Sequence, residues 1–196
     1  HKFDNSGIIE EVIDCLDGLI KKGLIKSYGV SNFSINNLHQ YNEIENKIST
    51  HQLFYNFLKR DIYKKVIKEN FNHKHILYGV LGRGILTSKY FNKSHLKNNR
   101  ASKSINVRSD LKQDVIEKLK AFDLKLKDSN TNLLEYSLVE ALSGKDVVSC
   151  VVGMRNIKQV KEIINLFRKK IPIKILKKYE PSRISHLVNL GEPIIN

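Results

Sequence analysis

The sequence contains few cysteines and no long apolar run, and these absences limit what the protein can be. No apolar segment approaches the roughly 20 residues that a membrane helix needs, so we predict no membrane partner. The two cysteines, Cys15 and Cys150, show no spacing typical of a metal site, and no metal site is predicted. Each falls in an apolar pattern, which predicts buried thiols in a reducing compartment and therefore a cytoplasmic protein.

Acidic residues are also scarce: 20 Asp and Glu stand against 34 Lys and Arg, which gives a formal net charge of +14. Such a charge is compatible with a nucleic-acid partner. However, the lysines are spread over several predicted helices, no basic stripe carries interleaved aromatic residues, and no nucleic-acid-binding motif is present. We therefore predict a solvated basic surface and no nucleic-acid partner. Two denser basic segments, 93–108 and 168–178, lack acidic residues, and their role stays open.

Hydrophobic patterns alternate between helix and strand along the chain. The first helix is the best defined, because apolar residues recur at helical spacing between Ile9 and Ile20 and Gly23 fits the position just beyond the helix end. Asn5 or Ser6 is suited to cap the N-terminus of this helix. Strands are predicted near 25–30, 48–54, 75–80 and 147–152, with helices over 34–45, 61–70, 110–126 and 131–143 and from 156 onward.

Strands that alternate with helices indicate a parallel sheet in an α/β fold, since parallel strands need helical crossovers. One leading helix and four strand–helix units make about half of an eight-stranded barrel. No repeat or domain linker is visible, so we predict a single domain over 1–196. Within it, residues 91–109 are expected to form a long polar loop and 168–196 a basic C-terminal extension.

In parallel α/β folds, functional residues lie at the carboxyl ends of the strands. The first strand ends in Ser31 and Asn32, and the second carries Gln52. Amides and hydroxyls at neighbouring strand ends suit a planar polar group such as a carboxamide. The third strand carries Tyr78, whose ring can stack on a flat ring. Taken alone, Gln52 is also explained as a satisfied strand-end amide, and Tyr78 as a core residue.

Glycines follow the third predicted strand, and a helix begins directly after the fourth. Gly79, Gly82 and Gly84 allow the backbone to approach a phosphate. Arg155 precedes the helix that opens at Asn156, and a helix N-terminus beside a guanidinium attracts a phosphate monoester. Each feature alone is common, since Gly-x-Gly is an ordinary turn and surface arginines are usually solvated. Their joint order predicts a dinucleotide across the sheet edge, with its nicotinamide at one end and its adenosine phosphate at the other.

Four segments in this order resemble the aldo-keto reductase superfamily, and together they cover the chain from its start to about residue 167. They are "EEVIDCLDGLIKKGLIKSYGVSNFS", "HQLFYNFLKR", "LYGVLGRGILTSKY" and "ALSGKDVVSCVVGMRNIKQVKEI". The first is similar to the family's stretch in which a helix leads into a Gly-Val-Ser-Asn strand end, and the second to its Gln-x-x-Tyr-Asn strand. The third resembles the glycine-rich segment that follows its stacking tyrosine. The fourth resembles its last strand and cofactor-binding helix.

The resemblance implies a TIM-type (β/α)8 barrel, of which this chain covers about the second half, with four parallel strands and outer helices. It implies NADPH as the cofactor, with NADH as the alternative, and a small-molecule carbonyl compound as the substrate. Ser31, Asn32 and Gln52 would hold the nicotinamide carboxamide, and Tyr78 would stack on the nicotinamide ring. The pyrophosphate would lie against Gly79, Val80, Leu81, Gly82, Gly84 and Leu86. The adenosine end would lie against Gly153, Met154, Arg155, Gln159 and Glu162.

Three sites depart from the family pattern. Gly79 and Val80 replace its Ser-Pro after the stacking tyrosine, which predicts a looser loop. Ile163 stands where an asparagine is often found, which weakens the expected adenine contact. Gln159 stands where some members carry an arginine for the 2′-phosphate, so the preference for NADPH over NADH rests mainly on Arg155.

The family's reaction reduces an aldehyde or ketone by hydride transfer, with a tyrosine as proton donor, an aspartate and a lysine that tune it, and a histidine that orients the carbonyl. The first three lie before the matched region and are expected to be missing from this chain. "HKFD" matches the histidine motif through His1 and Asp4, so His1 is the candidate catalytic residue; the alternative is a terminal residue without a role.

Two functions stay open. In the first, the chain is the C-terminal part of a reductase and has little activity by itself. In the second, it is a non-catalytic remnant or a cofactor-binding or interaction module of the same family. The sequence predicts neither the substrate's identity nor the oligomeric state.

Overall fold

Helices and strands alternate along the chain in the computed structural model, which describes residues 9–40, 47–91, 113–168, 176 and 178. The strands are β1 (Gly29–Ser31), β2 (Thr50–Phe54), β3 (Lys74–Tyr78) and β4 (Val147–Val151). The helices are α1 (Ile9–Lys21), α2 (Ile35–Gln40), α3 (Asp61–Lys68), α4 (Gln113–Lys127), α5 (Leu133–Leu142) and α6 (Ile157–Arg168). Two short helical turns, Gly82–Gly84 and Ser88–Phe91, follow β3.

The four strands form one sheet in the chain order β1-β2-β3-β4, and every pairing between them is parallel. Ser31 lies opposite Gln52, Phe54 lies opposite Tyr78, and Tyr78 lies opposite Val151. The prediction of an α/β fold with four parallel strands in chain order is confirmed. Because the strands run the same way, their carboxyl ends meet at one edge of the sheet.

The two faces of the sheet have different surroundings. Leu53 and Leu77 are fully buried and belong to one apolar cluster with residues of α3, α5 and α6. Side chains alternate between faces along a strand, so Gln52 and Tyr78 lie on the opposite side, which we call the open face. The open face is only partly buried, and at its β4 end Val151 is 51% exposed.

The end of α1 confirms the predicted role of Gly23. Its backbone has φ of +70°, its N–H donates to the carbonyl of Ile20, and the N–H of Leu24 donates to the carbonyl of Leu19. This pair of bonds is a Schellman motif, which glycine favours because it adopts the left-handed conformation without a steric penalty. The turn leaves Leu24 69% exposed, and the strand predicted near 25–30 is shorter than expected, since it begins only at Gly29.

The prediction of two buried cysteines is wrong for Cys15, which is exposed. In an α-helix, two residues span about 200° of rotation, so Cys15 points away from Ile13, the buried residue of α1. Cys150 on β4 is partly buried and contacts the cluster around Leu77.

Three apolar clusters hold the elements together. One joins α4 and α5 to Phe57, Ile85 and Leu86; the second joins the sheet to α3, α5 and α6; the third joins α1 to α2. The predicted helix start at 110, most of the 91–109 loop and nearly all of the 168–196 extension lie outside the described residues. Within the described part of the chain, no helix has the length and apolar character to cross a bilayer.

Candidate cofactor site

The carboxyl ends of β1, β2 and β3 bring together the polar residues that the sequence analysis selected. The hydroxyl of Tyr78 donates to Oδ1 of Asn32 at 2.7 Å, and Nδ2 of Asn32 donates to Oγ of Ser31 at 3.2 Å. The backbone N–H of Asn32 also donates to the carbonyl of Gln52 at 3.0 Å. The four residues thus form one connected polar group at the sheet edge.

The local backbone explains how Asn32 reaches Tyr78. Asn32 has φ of +59°, in the left-handed region that asparagine tolerates better than most residues. Burial raises the pKa of Tyr78, while the hydrogen bond to Asn32 acts in the opposite direction. The phenol therefore stays protonated at neutral pH and donates its hydrogen bond. The Phe54 ring meets the Tyr78 ring edge to face, with centroids 5.6 Å apart.

A cavity of about 930 Å³ lies between the loop after β3 and the loop after β4. None of Ser31, Asn32, Gln52 and Tyr78 lines it, and the lining begins at Gly79, the residue after Tyr78. Many of the residues expected at the pyrophosphate and the adenosine line it: Gly79, Val80, Leu81, Gly84, Gly153, Met154, Arg155, Gln159 and Glu162. Two others do not line it. Gly82 is buried within the turn, and Leu86 is fully buried in the core with α4 and α5.

The loop after β3 depends on glycine at two places beside the cavity. Gly79 has φ of +74°, and a side chain there would meet the Phe54 ring at 2.5 Å. Gly84 has φ of +92°, and a side chain there would come within 3.3 Å of the Tyr90 ring. The two glycines therefore let the loop pack closely against the Phe54 and Tyr90 rings.

The N-terminus of α6 forms the other wall of the cavity. Asn156 caps the helix, as its Oδ1 accepts the N–H of Gln159 at 3.0 Å, and Oε1 of Gln159 accepts the N–H of Arg155 at 2.7 Å. Gln159 thus fixes the Arg155 backbone, while the Arg155 side chain remains exposed at the positive end of the helix. Both features favour an anion in this wall.

The cavity has more basic than acidic lining residues. Its cations are Arg83, Lys89, Lys127, Arg155 and Lys158, and its carboxylates are Asp123 and Glu162. Asp123 is buried and lies 3.7 Å from Lys127, which offsets one of these charges. Burial raises the pKa of Tyr90, and the charge of Arg155 opposes that rise. The surplus of cations makes the cavity suited to a polyanionic ligand.

Sequence analysis missed four of these cations: Arg83, Lys89, Lys127 and Lys158. Arg83 lies inside the Gly-Arg-Gly turn, and Lys158 lies in the first turn of α6, so both had a local signal. Lys127 ends α4, and only tertiary packing brings that helix end to the cavity. His1 and Asp4, which match the catalytic histidine motif, lie outside the described residues.

A sequence profile of the Aldo/keto reductase family matches residues 1–181. No curated protein sequence matches the chain.

Solved structures with a similar fold are aldo-keto reductases. A thermostable aldo-keto reductase in complex with the inhibitor epalrestat superposes with a TM-score of 0.63 at 18% identity. The match covers 95% of this chain and 57% of that protein. An apo aldo-keto reductase from Bacillus halodurans superposes with a TM-score of 0.65 at 18% identity. The match covers 100% of this chain and 62% of that protein. An aldo/keto reductase from Klebsiella pneumoniae in complex with NADP and acetate superposes with a TM-score of 0.60 at 13% identity. The match covers 96% of this chain and 57% of that protein.

This chain therefore spans less than two thirds of the length of these solved proteins. At these identities the likeness concerns the fold alone, and it confirms the TIM-barrel family with about half of the barrel present in this chain. The family profile covers most of the sequence, from the first residue to 181. The chain thus belongs to the aldo/keto reductase family.

Proposed function

We propose that this chain binds NADPH in the basic cavity and forms the cofactor-binding part of an oxidoreductase that reduces an aldehyde or ketone to an alcohol. The observation that carries this proposal is the cavity itself. It combines a glycine turn, a capped helix N-terminus and five cations beside a polar group of strand-end residues. Membership of the family supports the same reaction class.

The residues present fit a dinucleotide with a 2′-phosphate. A volume of about 930 Å³ lies within the roughly 300–1,000 Å³ typical of small-molecule sites. Arg155 and the N-terminus of α6 would hold the 2′-phosphate, and the backbone of Gly79–Gly84 would lie along the pyrophosphate. The Klebsiella pneumoniae protein, which shares the fold, was solved with NADP and acetate, and this supports an anionic dinucleotide as the ligand.

At the other end of the site, Ser31, Asn32 and Gln52 would hold the nicotinamide carboxamide and Tyr78 would pack on the ring. When bound, the cofactor supplies a hydride to the substrate carbonyl. The hydrogen bond between Tyr78 and Asn32 fixes both side chains before binding, so that the ligand does not have to order them. Such preorganisation decides which face of the ring is presented, and hence the side from which reduction proceeds.

Binding, rather than turnover, tests this proposal, because the residues named here hold the cofactor and none of them is the proposed proton donor. Isothermal titration calorimetry of the chain with 2′-phospho-ADP-ribose and with ADP-ribose separates the adenosine end from the nicotinamide end. We expect one-to-one binding of both fragments, with the phosphorylated one bound about 10- to 100-fold more tightly, since one charge-assisted contact contributes roughly 1.5–3 kcal/mol.

Two lysines of α6 provide a matched pair of variants. Lys158 lines the cavity, whereas Lys161 is exposed one turn further along the same helix and does not line it. Lys158→Gln should weaken the binding of 2′-phospho-ADP-ribose by about threefold to tenfold, and Lys161→Gln should leave it within about twofold. A folded chain that binds neither fragment, or that loses affinity equally in both variants, would contradict the proposed site.

A further inference from the structure

Three histidines meet on the helix-covered face of the sheet, away from the cofactor cavity. His51 of β2 lies opposite His75 of β3 in the parallel register. His73 precedes His75 by two residues, so both side chains point to the same face. Each of the three offers one ring nitrogen, and these atoms all lie within 4.8 Å of one another.

Within the described part of the chain, five of the six ring nitrogens of this cluster are buried and have no hydrogen-bond partner. The exposed fractions of His51, His73 and His75 are 0%, 1% and 3%. The five are both ring nitrogens of His51, both of His73 and Nδ1 of His75, and none of them has a partner among the residues that the structure describes. Buried polar atoms in native proteins are nearly always paired, so five unpaired nitrogens in one cluster indicate a ligand.

The rings around the cluster hold it in place but offer it few polar atoms. The Phe71 ring stacks on His73 with centroids 5.4 Å apart, and the Tyr63 ring meets His75 edge to face at 5.6 Å. The Tyr63 hydroxyl is already engaged, since it donates to the carbonyl of Lys145 at 2.7 Å. The three histidine rings also pack against one another, with centroids 5.2 to 6.5 Å apart.

Burial disfavours the charged form of all three imidazoles. Burial lowers the pKa of His51 to about 3 and that of His75 to about 4, and it lowers the pKa of His73 as well. The neighbouring charges are Asp146, which opposes the shift at His73 and His75, and Lys74, which pairs with Asp146 at 2.7 Å. The imidazoles are therefore neutral at physiological pH, and each has a lone pair to donate.

We propose that His51, His73 and His75 bind one divalent transition-metal ion of the zinc class. Imidazole nitrogen is a common ligand of Zn²⁺, with Zn–N distances of about 2.0–2.1 Å, which separate tetrahedral ligand atoms by about 3.4 Å. The ligand atoms need to approach one another by on the order of 1 Å from their present spacing. A water molecule takes the fourth position.

The position of the site assigns it a structural rather than a catalytic role. His51 and His75 are each the second residue of their strand, at the amino end of the sheet, whereas Tyr78 and Gly79 lie at the carboxyl end beside the cofactor cavity. A metal ion here ties β2, β3 and the turn before β3 together. It should raise stability and leave the binding of 2′-phospho-ADP-ribose unchanged.

The test uses the full chain, treated with EDTA, dialysed, and then titrated with Zn²⁺ or Co²⁺ alone. We expect one equivalent of Zn²⁺ to bind and Co²⁺ to give the visible absorption of tetrahedral nitrogen ligation. At a free Zn²⁺ concentration about a hundredfold above Kd, the Tm should rise by roughly 5–10 °C, since only the folded chain carries the site. Long-range ¹⁵N spectra should show three imidazoles shifted by Zn²⁺.

His73→Gln removes one ligand next to the strand and should abolish both the visible Co²⁺ spectrum and the Tm shift. His39→Gln is the control, because His39 is exposed, pairs with Glu69 and offers no ring nitrogen to the cluster, which it meets only through the Phe71 ring; it should keep both signals. If the His73→Gln variant does not fold, the test relies on the unmutated chain, in which Zn²⁺ should shift the ¹⁵N signals of three imidazoles. The proposal is overturned if the Tm and the three imidazole signals of the folded, unmutated chain do not respond to Zn²⁺. It is also overturned if the His39→Gln variant loses metal binding while the His73→Gln variant keeps it.

Discussion

The hydroxyl of Tyr78 donates a hydrogen bond of 2.7 Å to Oδ1 of Asn32, which lies 46 residues earlier in the chain. The bond links the carboxyl ends of β3 and β1 across β2, the strand between them. Nδ2 of Asn32 in turn donates a hydrogen bond to the hydroxyl oxygen of Ser31. One side-chain pair therefore sets the shape of the sheet edge at which the nicotinamide is proposed to bind.

The ring and the hydroxyl of Tyr78 are expected to contribute differently to stability and to cofactor binding, and two substitutions distinguish these contributions. Tyr78→Phe should lower the free energy of unfolding by about 1 kcal/mol, because it removes one part-buried hydrogen bond. It should weaken NADPH binding by only about twofold, since the ring remains and only the ordering of the two side chains is lost; Tyr78→Ala should weaken binding by about threefold to tenfold. Urea denaturation measures the first effect and cofactor titration the second. Equal losses of affinity in both variants would show that the ring does not carry the contact.

Arg155 is expected to set the cofactor preference. Its guanidinium lies beside the N-terminus of α6, where a bidentate contact to a 2′-phosphate is worth roughly 10- to 100-fold in affinity. Arg155→Ala should therefore erase the preference for NADPH over NADH and leave NADH binding nearly unchanged. Gln159 carries no charge and its Oε1 accepts the Arg155 N–H, so it does not compensate.

Arg168 is the control for Arg155, because it lies in the last turn of the same helix and is exposed. Arg168→Ala removes the same charge without changing the N-terminus of α6. Titrations followed by quenching of tyrosine fluorescence compare NADPH and NADH on each variant. Equal affinity of the unmutated chain for the two cofactors would remove the role assigned to Arg155.

Two glycines on opposite walls of the cavity should respond differently to the same change. Gly79→Ala should cost about 1–3 kcal/mol of stability, since φ is +74° and the new methyl group would meet the Phe54 ring. Gly153→Ala should stay within about 0.5 kcal/mol, because a Cβ there meets no atom of the described residues within 4 Å. Thermal unfolding of the two variants measures the difference, and a Gly153→Ala as unstable as Gly79→Ala would contradict the described loop geometry.

The two cysteines should differ sharply in reactivity. Cys15 is exposed, whereas Cys150 is partly buried, and burial, with a smaller contribution from Glu140, raises the pKa of Cys150 to about 12. Since the thiolate is the reactive form, at about pH 8 only Cys15 should react quickly with a disulfide reagent such as DTNB, and the rate at Cys150 should rise with pH. In urea both should react, and Cys15→Ser should leave only the slow thiol. Two fast equivalents from the folded chain would contradict this assignment.

The order of the strand-end residues was predictable because topology alone determines where they lie. Once the strands are known to be parallel and in chain order, Asn32 and Tyr78 must reach the same sheet edge. Their hydrogen bond was not predictable, since it depends on the positive φ of Asn32. Cys15 was misplaced although the helical period places it correctly, since it lies about 200° around α1 from Ile13, off the buried face.

The histidine cluster shows the same limit. The His-x-His spacing of His73 and His75 places both on one face of a strand, and this signal is present in the sequence. His51 joins them only because β2 and β3 pair in the register that sets it opposite His75. Register follows from packing across the whole sheet, which the sequence pattern does not reveal. Lys127 reaches the cavity for a similar reason, as the packing of α4 decides where its end lies.

Hydrogen exchange of the chain with and without NADPH tests the central claim most directly. If the dinucleotide lies across the cavity, backbone amides in 78–90 and 151–160 should exchange more slowly with NADPH bound, while those of α1 should be unchanged. ADP-ribose should protect the segment at 151–160 without slowing exchange at Asn32. A folded chain that binds NADPH but shows protection in neither segment would contradict the site proposed here.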